Sequence, residues 1–175
     1  MTKFHSLLQD QIRHEFASSQ QYIAVAAFYD NEDLPRLAEH FYKQSVEERN
    51  HAMMIVQYFL DRDITVQLPG IEHPENSFAD YRAPIKLALE QEQRVTDQIV
   101  QLAKVARDEG DYLGEQFMQW FLKEQVEEVA VMRTLQTVAD RCDGNLFDLE
   151  NFIAREIGVA AAADATAPAV AGGHL

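Results

Sequence analysis

With one cysteine, five prolines and seven glycines in 175 residues, this sequence is short of the parts that several fold classes need. The lone Cys142 excludes an intrachain disulfide framework and any dependence on an oxidising compartment. So few glycines and prolines leave too little turn chemistry for an all-β chain. No apolar run approaches the roughly 20 residues that span a bilayer, and the first ten residues lack a signal-peptide core. Bases are scarce too: 15 Lys and Arg stand against 29 Asp and Glu, a formal net charge of -14. Such a field argues against nucleic acid or an anionic membrane as main partner and suits a protein that attracts cations, although solubility alone would also account for it. The expectation is one cytoplasmic domain with a sizeable core.

What is present is apolar residues at helical spacing. A first helix opens after Thr2 and carries Leu8, Ile12, Tyr22, Ala26 and Tyr29 before breaking at Asn31-Glu32-Asp33. A second is expected from Asp33 as N-cap, with Pro35 in its first turn, to Asp63. A third follows Pro84 and stops at Gly110; a fourth opens at Asp111 and runs to Gly144. A short fifth is expected from Asn145 to Ile157, ended by Gly158.

Between helices two and three lie residues 64–81, broken by Pro69-Gly70 and Pro74. Helices of about 27 residues are about 40 Å long, and an extended segment of about a dozen residues covers that distance. The segment is therefore long enough to run the full height of a bundle and start helix three at the end where helix two began. The other two connections are short and make antiparallel pairs. The fold class is all-α: a ferritin-like four-helix bundle with a long crossover between helices two and three, plus a short fifth helix. Residues 1–158 form this domain. Residues 159–175 are rich in Ala and Gly and read as a flexible tail with too little apolar bulk to pack, or as a docking peptide.

The informative feature is what interrupts the apolar stripes. Helix one carries Glu15 on its inward face, helix two Glu48 and His51, and helix three Glu92. Helix four carries Glu124 and Glu128, with Gln125 and Glu127 beside them. All lie near mid-helix, so in a bundle they meet at one height. Any one alone would pass as a helix-surface charge; four helices broken at matching height would not. Buried ionised carboxylates are costly and repel one another, no Lys or Arg shares these positions, and Arg49 sits one step off the stripe. A metal cluster is the simplest compensation. Glu48 and His51 form Glu-x-x-His, two ligands on one face, and several carboxylates with one imidazole suit iron or manganese. His5, His14, His40, His73 and His174 lack such a partner and read as surface residues.

Three segments then carry a resemblance: Glu47-Glu48-Arg49-Asn50-His51, Gln91-Glu92-Gln93-Arg94-Val95-Thr96, and Trp120 to Glu128. Together they resemble the non-haem bacterial ferritins, and the likeness runs from Lys3 to about Ile157. It implies a hollow cage of 24 subunits that oxidises Fe2+ with O2 or H2O2 and stores Fe3+ as a mineral. It implies Glu15, Glu48 and His51 as ligands of a first ferroxidase iron, and Glu48, Glu92 and Glu128, with Gln125 alongside, at a second. Glu47, Glu124 and Glu127, with Glu128 shared, match a third iron site. Tyr22 and Trp120 match aromatics beside the centre that supply electrons, or are core packing.

The departures carry expectations of their own. Helix four has Gln125-x-x-Glu128 in place of a second Glu-x-x-His, so the second iron lacks a histidine and binds more weakly. Haem-bearing relatives place a methionine where Arg49 stands, so no haem is expected. A single Cys142 excludes a cysteine-rich metal domain. Glu115 matches a position lining three-fold channels, with Asp108 and Asp111 nearby; each also reads as a solvated helix end.

Overall fold

Helix α1 (Lys3–Asn31) starts where the Thr2 side chain accepts the His5 N–H at 3.1 Å. In the computed structural model, which describes residues 1–158 and 164–175, it is followed by α2 (Pro35–Asp61), α3 (Ala83–Asp108), α4 (Tyr112–Arg141) and α5 (Leu146–Phe152). A π-helical turn (Ile153–Ile157) extends α5 to Gly158. No strand occurs among the described residues. The start of α2 differs from expectation. Asp33 is left-handed at φ 57°, and Leu34 is an N-cap with no side-chain bond. The open N–H groups of Arg36 and Leu37 donate instead to the Glu150 carboxylate of α5, at 2.8 and 3.0 Å. A distant residue therefore does the capping that a local aspartate was expected to do.

Helix α1 packs on α2 and α3 on α4, with α1 also meeting α3. The crossover runs along α1 in the same direction. The Gln9 amide brackets it by donating to the Thr65 carbonyl at 3.0 Å and accepting from the Gln67 N–H at 3.1 Å. Gln21 does the same for both backbone groups of Glu75, at 2.9 and 2.8 Å, and the Tyr29 hydroxyl donates to the Tyr81 carbonyl at 2.7 Å. Side chains of α1 thus satisfy backbone groups that a loop without secondary structure leaves open. That is how an extended segment stays seated over the bundle's height.

The core is split in two. One cluster gathers Phe4, Leu8 and Ile12 with Ile55, Phe59, Val95, Ile99 and Phe121. The other gathers Tyr22, Tyr29, Leu37 and Phe41 with Ile85, Leu89, Met132 and Leu135. Between them, on every long helix, the buried positions turn polar: Glu15 and Ser18, Gln44 and Glu48, Gln91 and Glu92, Gln125 and Glu128. At the α1 end of the first cluster Phe4 lies flush on Gly114, where an added Cβ would overlap its ring. Gly114→Ala is expected to destabilise the subunit by about 1–3 kcal/mol through overpacking; chemical denaturation of the two proteins measures it. His5, expected at the surface, is buried beside Asp111, with Nε2 3.3 Å from the carboxylate.

The C-terminal stretch also departs from expectation. Asp164 accepts from Trp120 Nε1 and Lys123 Nζ, both at 3.1 Å. Val170 and Ala171 are buried against the first cluster, where the Ala171 N–H donates to the Met53 carbonyl at 3.1 Å. Residues 164–175 therefore pack across α2 and α4, because small side chains let the backbone approach a helix closely. Residues 159–163 of the expected tail lie outside the described residues. No described helix is long and apolar enough to cross a membrane.

Candidate metal centre

The polar layer is built by register. On α1, Glu15 follows Ile12 by one short turn and precedes Tyr22 by two turns, so it sits on the inward stripe between the two clusters. On α2, Glu48 and His51 fall between Phe41 and Ile55 on the same face. Ligand atoms of Glu15, Glu48 and His51 all lie within 4.8 Å of one another, the only such group of three among the described residues. Donors about 2 Å from a common ion stand up to about 4 Å apart, so small rotamer changes close this set on a metal. Glu48 Oε2 is 3.6 Å from His51 Nδ1. The Oε2 atoms of Glu15 and Glu48 are buried with no hydrogen-bond partner. Glu15 is held by its other oxygen, which accepts from Gln11 Nε2 at 2.8 Å.

Across the layer, Glu92 on α3 is fully buried and accepts from the Tyr22 hydroxyl. Its second oxygen is 3.5 Å from Gln125 Nε2, and the Gln125 carbonyl accepts from Thr96 Oγ1 at 2.9 Å. Thr96 thereby orients Gln125 with its amide toward Glu92. Burial raises the Glu92 carboxyl to about 7, with Glu15 adding to the rise and the Tyr22 and Gln125 hydrogen bonds opposing it. Burial, then Glu92 and Glu15, push Glu48 well above the usual carboxylate range. Burial, then Glu92, Glu47 and Glu124, do the same to Glu128. Burial lowers His51, which leaves a neutral imidazole with a lone pair to give. Tyr22, buried beside Glu92, is pushed up and stays a phenol donor. The layer favours either protons or a cation, and no Lys or Arg of the chain reaches it to form an ion pair among the described residues.

Some expected positions differ. On α4 the inward positions are Phe121, Gln125, Glu128 and Met132; Glu124 is half-buried and Glu127 exposed. Glu47 is also exposed, held by Gln44 Nε2. These three acids do not draw together as Glu15, Glu48 and His51 do. Burial, with Glu127 nearby, raises Glu124. Trp120 is half-buried, edge-on to His51 at 5.5 Å between ring centres. The acids at the α3–α4 turn are all engaged: Glu115 by Arg107 at 2.6 Å, Asp108 by Lys104, and Asp111 by the Gly114 N–H it caps and by Arg62 at 3.5 Å. Two supporting amides went unread in the sequence, Gln11 on Glu15 and Gln44 on Glu47. Gln11 precedes its glutamate by four residues and Gln44 by three, the helical spacings that were the available signal.

A four-helix bundle whose core divides around a carboxylate layer narrows the kinship. The ferritin-like domain model matches residues 5–142. This chain belongs to the ferritin family. It is 65% identical over 174 residues to ferritin BfrB of Mycolicibacterium smegmatis, covering 99% of this chain and 96% of that one. Identity to bacterioferritin BfrB of Mycobacterium tuberculosis is 62% over the same length and coverage. Among solved structures, the open pore ferritin of the archaeon Archaeoglobus fulgidus superposes with a TM-score of 0.85 at 26% identity, over 89% of this chain and 97% of that one. The topology expected from loop lengths is thus the ferritin fold, and with it come iron binding and iron storage. In this ferritin the polar mid-bundle layer is assembled from residues of all four long helices.

Proposed function

We propose that this ferritin subunit is a ferroxidase, oxidising Fe(II) at mid-bundle before the Fe(III) is stored. The observation that carries the reading is the carboxylate layer itself: buried acids from four helices, unpartnered Oε2 atoms on Glu15 and Glu48, and no Lys or Arg buried with them among the described residues. Glu15, Glu48 and His51 hold the first ferrous ion. Glu48 is shared with a second, held with Glu92 and Glu128 and flanked by Gln125. The two ions are substrate and cargo. Together they give two electrons to O2, which with two protons becomes H2O2, or to H2O2, which with two protons becomes two waters. Histidine on one side only makes the pair unequal, the all-oxygen site being weaker. Glu47, Glu124 and Glu127, with Glu128, form an outer third iron site; the exposure of Glu47 and Glu127 fits a transfer position better than a tight one. Tyr22 donates to Glu92 and stands ready as an electron source. Arg49, at the position haem-bearing relatives give to methionine, supports a haem-free subunit.

The same reading takes a cytoplasmic homo-oligomeric cage of 24 chains as the working form, with no nucleic-acid or membrane partner. Iron-free protein loaded anaerobically with two Fe(II) per chain and then given oxygen is expected to develop ferric absorbance within one turnover. On a sizing column it is expected at about 480 kDa, 24 chains of 20.0 kDa. Slow, protein-independent oxidation would contradict the ferroxidase; a monomer or dimer would contradict the cage.

A further inference from the structure

Away from the metal layer, the groove between α1, α3 and the crossover holds a cavity of about 150 Å³. Ser18, Gln91, Arg94 and Gln98 line it from the two helices, with His14 and His73 at its sides. Gln91 is only 8% exposed, yet its amide Nε2 finds no acceptor. A buried donor left unpaired is unfavourable, and such groups are few in native proteins.

The remaining groups around it point the same way. Gln98 uses its carbonyl oxygen to accept from Gln11 Nε2 at 3.3 Å, which leaves its own amide hydrogens free to donate. Arg94 takes part in no ion pair among the described residues, whereas Glu72, the one acid on the cavity wall, is neutralised by Arg13. Gln21 donates one amide hydrogen to the Glu75 carbonyl and accepts from the Glu75 N–H. In a chain of net charge -14, a cavity whose free groups are donors, one of them a cationic guanidinium, is an exception. It calls for a ligand made of acceptors. The volume equals that of about five waters, and an oxyanion of five heavy atoms fits it.

We propose that this cavity is a binding site for a small tetrahedral oxyanion of the phosphate class, held by the amides of Gln91 and Gln98, the Ser18 hydroxyl and the Arg94 guanidinium. Planar, paired donors of Arg suit such an anion. Its place in the fold gives it a neighbour. Gln98 bonds Gln11, and Gln11 bonds Glu15, so two amides connect the anion to the metal layer. A ferritin that stores iron as a ferric mineral would in this way carry an inorganic counter-anion beside the oxidation site. That last consequence rests on the ferroxidase reading; the binding site does not.

The test uses the assembled, iron-free protein and inorganic phosphate alone, so that no iron–phosphate chemistry intervenes and the outcome is independent of oxidation. Isothermal titration is expected to show saturable phosphate binding near one per chain. Arg94→Met and Gln91→Leu are each expected to weaken it about 10-fold or more, as loss of a hydrogen bond to a charged group does. Arg94 is exposed, so its variant is expected to fold and assemble as the parent does, which keeps the test decisive should Gln91→Leu misfold. Absence of saturable binding at millimolar phosphate would overturn the proposal. Equal affinity in parent and Arg94→Met would do so too.

Discussion

Replacing both Glu48 and His51 with alanine is expected to slow Fe(II) oxidation by more than about 100-fold, since losing groups that merely support a ligand already costs 10–100-fold. The reason is positional. These two side chains share one face of α2, and with Glu15 they form the only set of three donors drawn within 4.8 Å among the described residues. Glu92, Glu15 and Glu128 also all act on the charge of Glu48. Removing it is therefore expected to disable both proposed iron positions, and removing His51 takes the one nitrogen ligand proposed for them. The fold should survive. Both changes delete polar groups from a layer already short of partners, and leave the apolar clusters on either side untouched. Stopped-flow absorbance after mixing loaded protein with oxygen reads the effect directly. A double variant that oxidises iron at the parental rate would place the chemistry elsewhere.

The second large effect concerns stability without metal. Glu92 has its carboxyl raised from 4.5 to about 7 in the folded protein, and Glu48 and Glu128 are shifted the same way. The folded state then holds protons that the unfolded chain has released. Stability is full below the unfolded value and falls as pH rises from about 4.5 through about 7. For Glu92 alone the loss is on the order of 3 kcal/mol. Exposed acids held low by their neighbours, such as Glu39 and Glu109, slope in the opposite sense. The contribution of the layer is therefore isolated by comparing parent with Glu92→Gln. Above neutral pH the iron-free variant is expected to be the more stable of the two, with the gap closing below pH 5. A divalent cation should restore the parent and help the variant less. Parallel pH profiles for the two proteins would show that the layer is not strained.

The two core stripes and the height of their interruption were legible in the sequence, because burial on a long helix repeats with a period that glutamates at 15, 48 and 92 visibly break. Helix four was harder. Positions 124 and 125 are both neighbours of Phe121 on a helix surface, so spacing could not choose between them; packing brought Gln125 inward and left Glu124 half-buried. The crossover's length revealed the topology, but not that Gln9 and Gln21 would fasten it by its backbone. Contacts made between distant segments left no local trace. Glu150 caps α2 from 114 residues away, and Asp164 reaches Trp120 from a stretch whose composition gave no sign of packing. Arg107 takes Glu115 across a turn in the same way.

The central claim is that this layer exists to hold two iron ions of unequal affinity. Anomalous diffraction at the iron edge, from crystals of the protein soaked anaerobically in Fe(II) at increasing concentration, tests it most directly. The account predicts a first peak among Glu15, Glu48 and His51 at low iron, and a second among Glu48, Glu92 and Glu128 only at higher iron. Iron confined to the outer acids Glu47, Glu124 and Glu127, with none at mid-bundle, would contradict it.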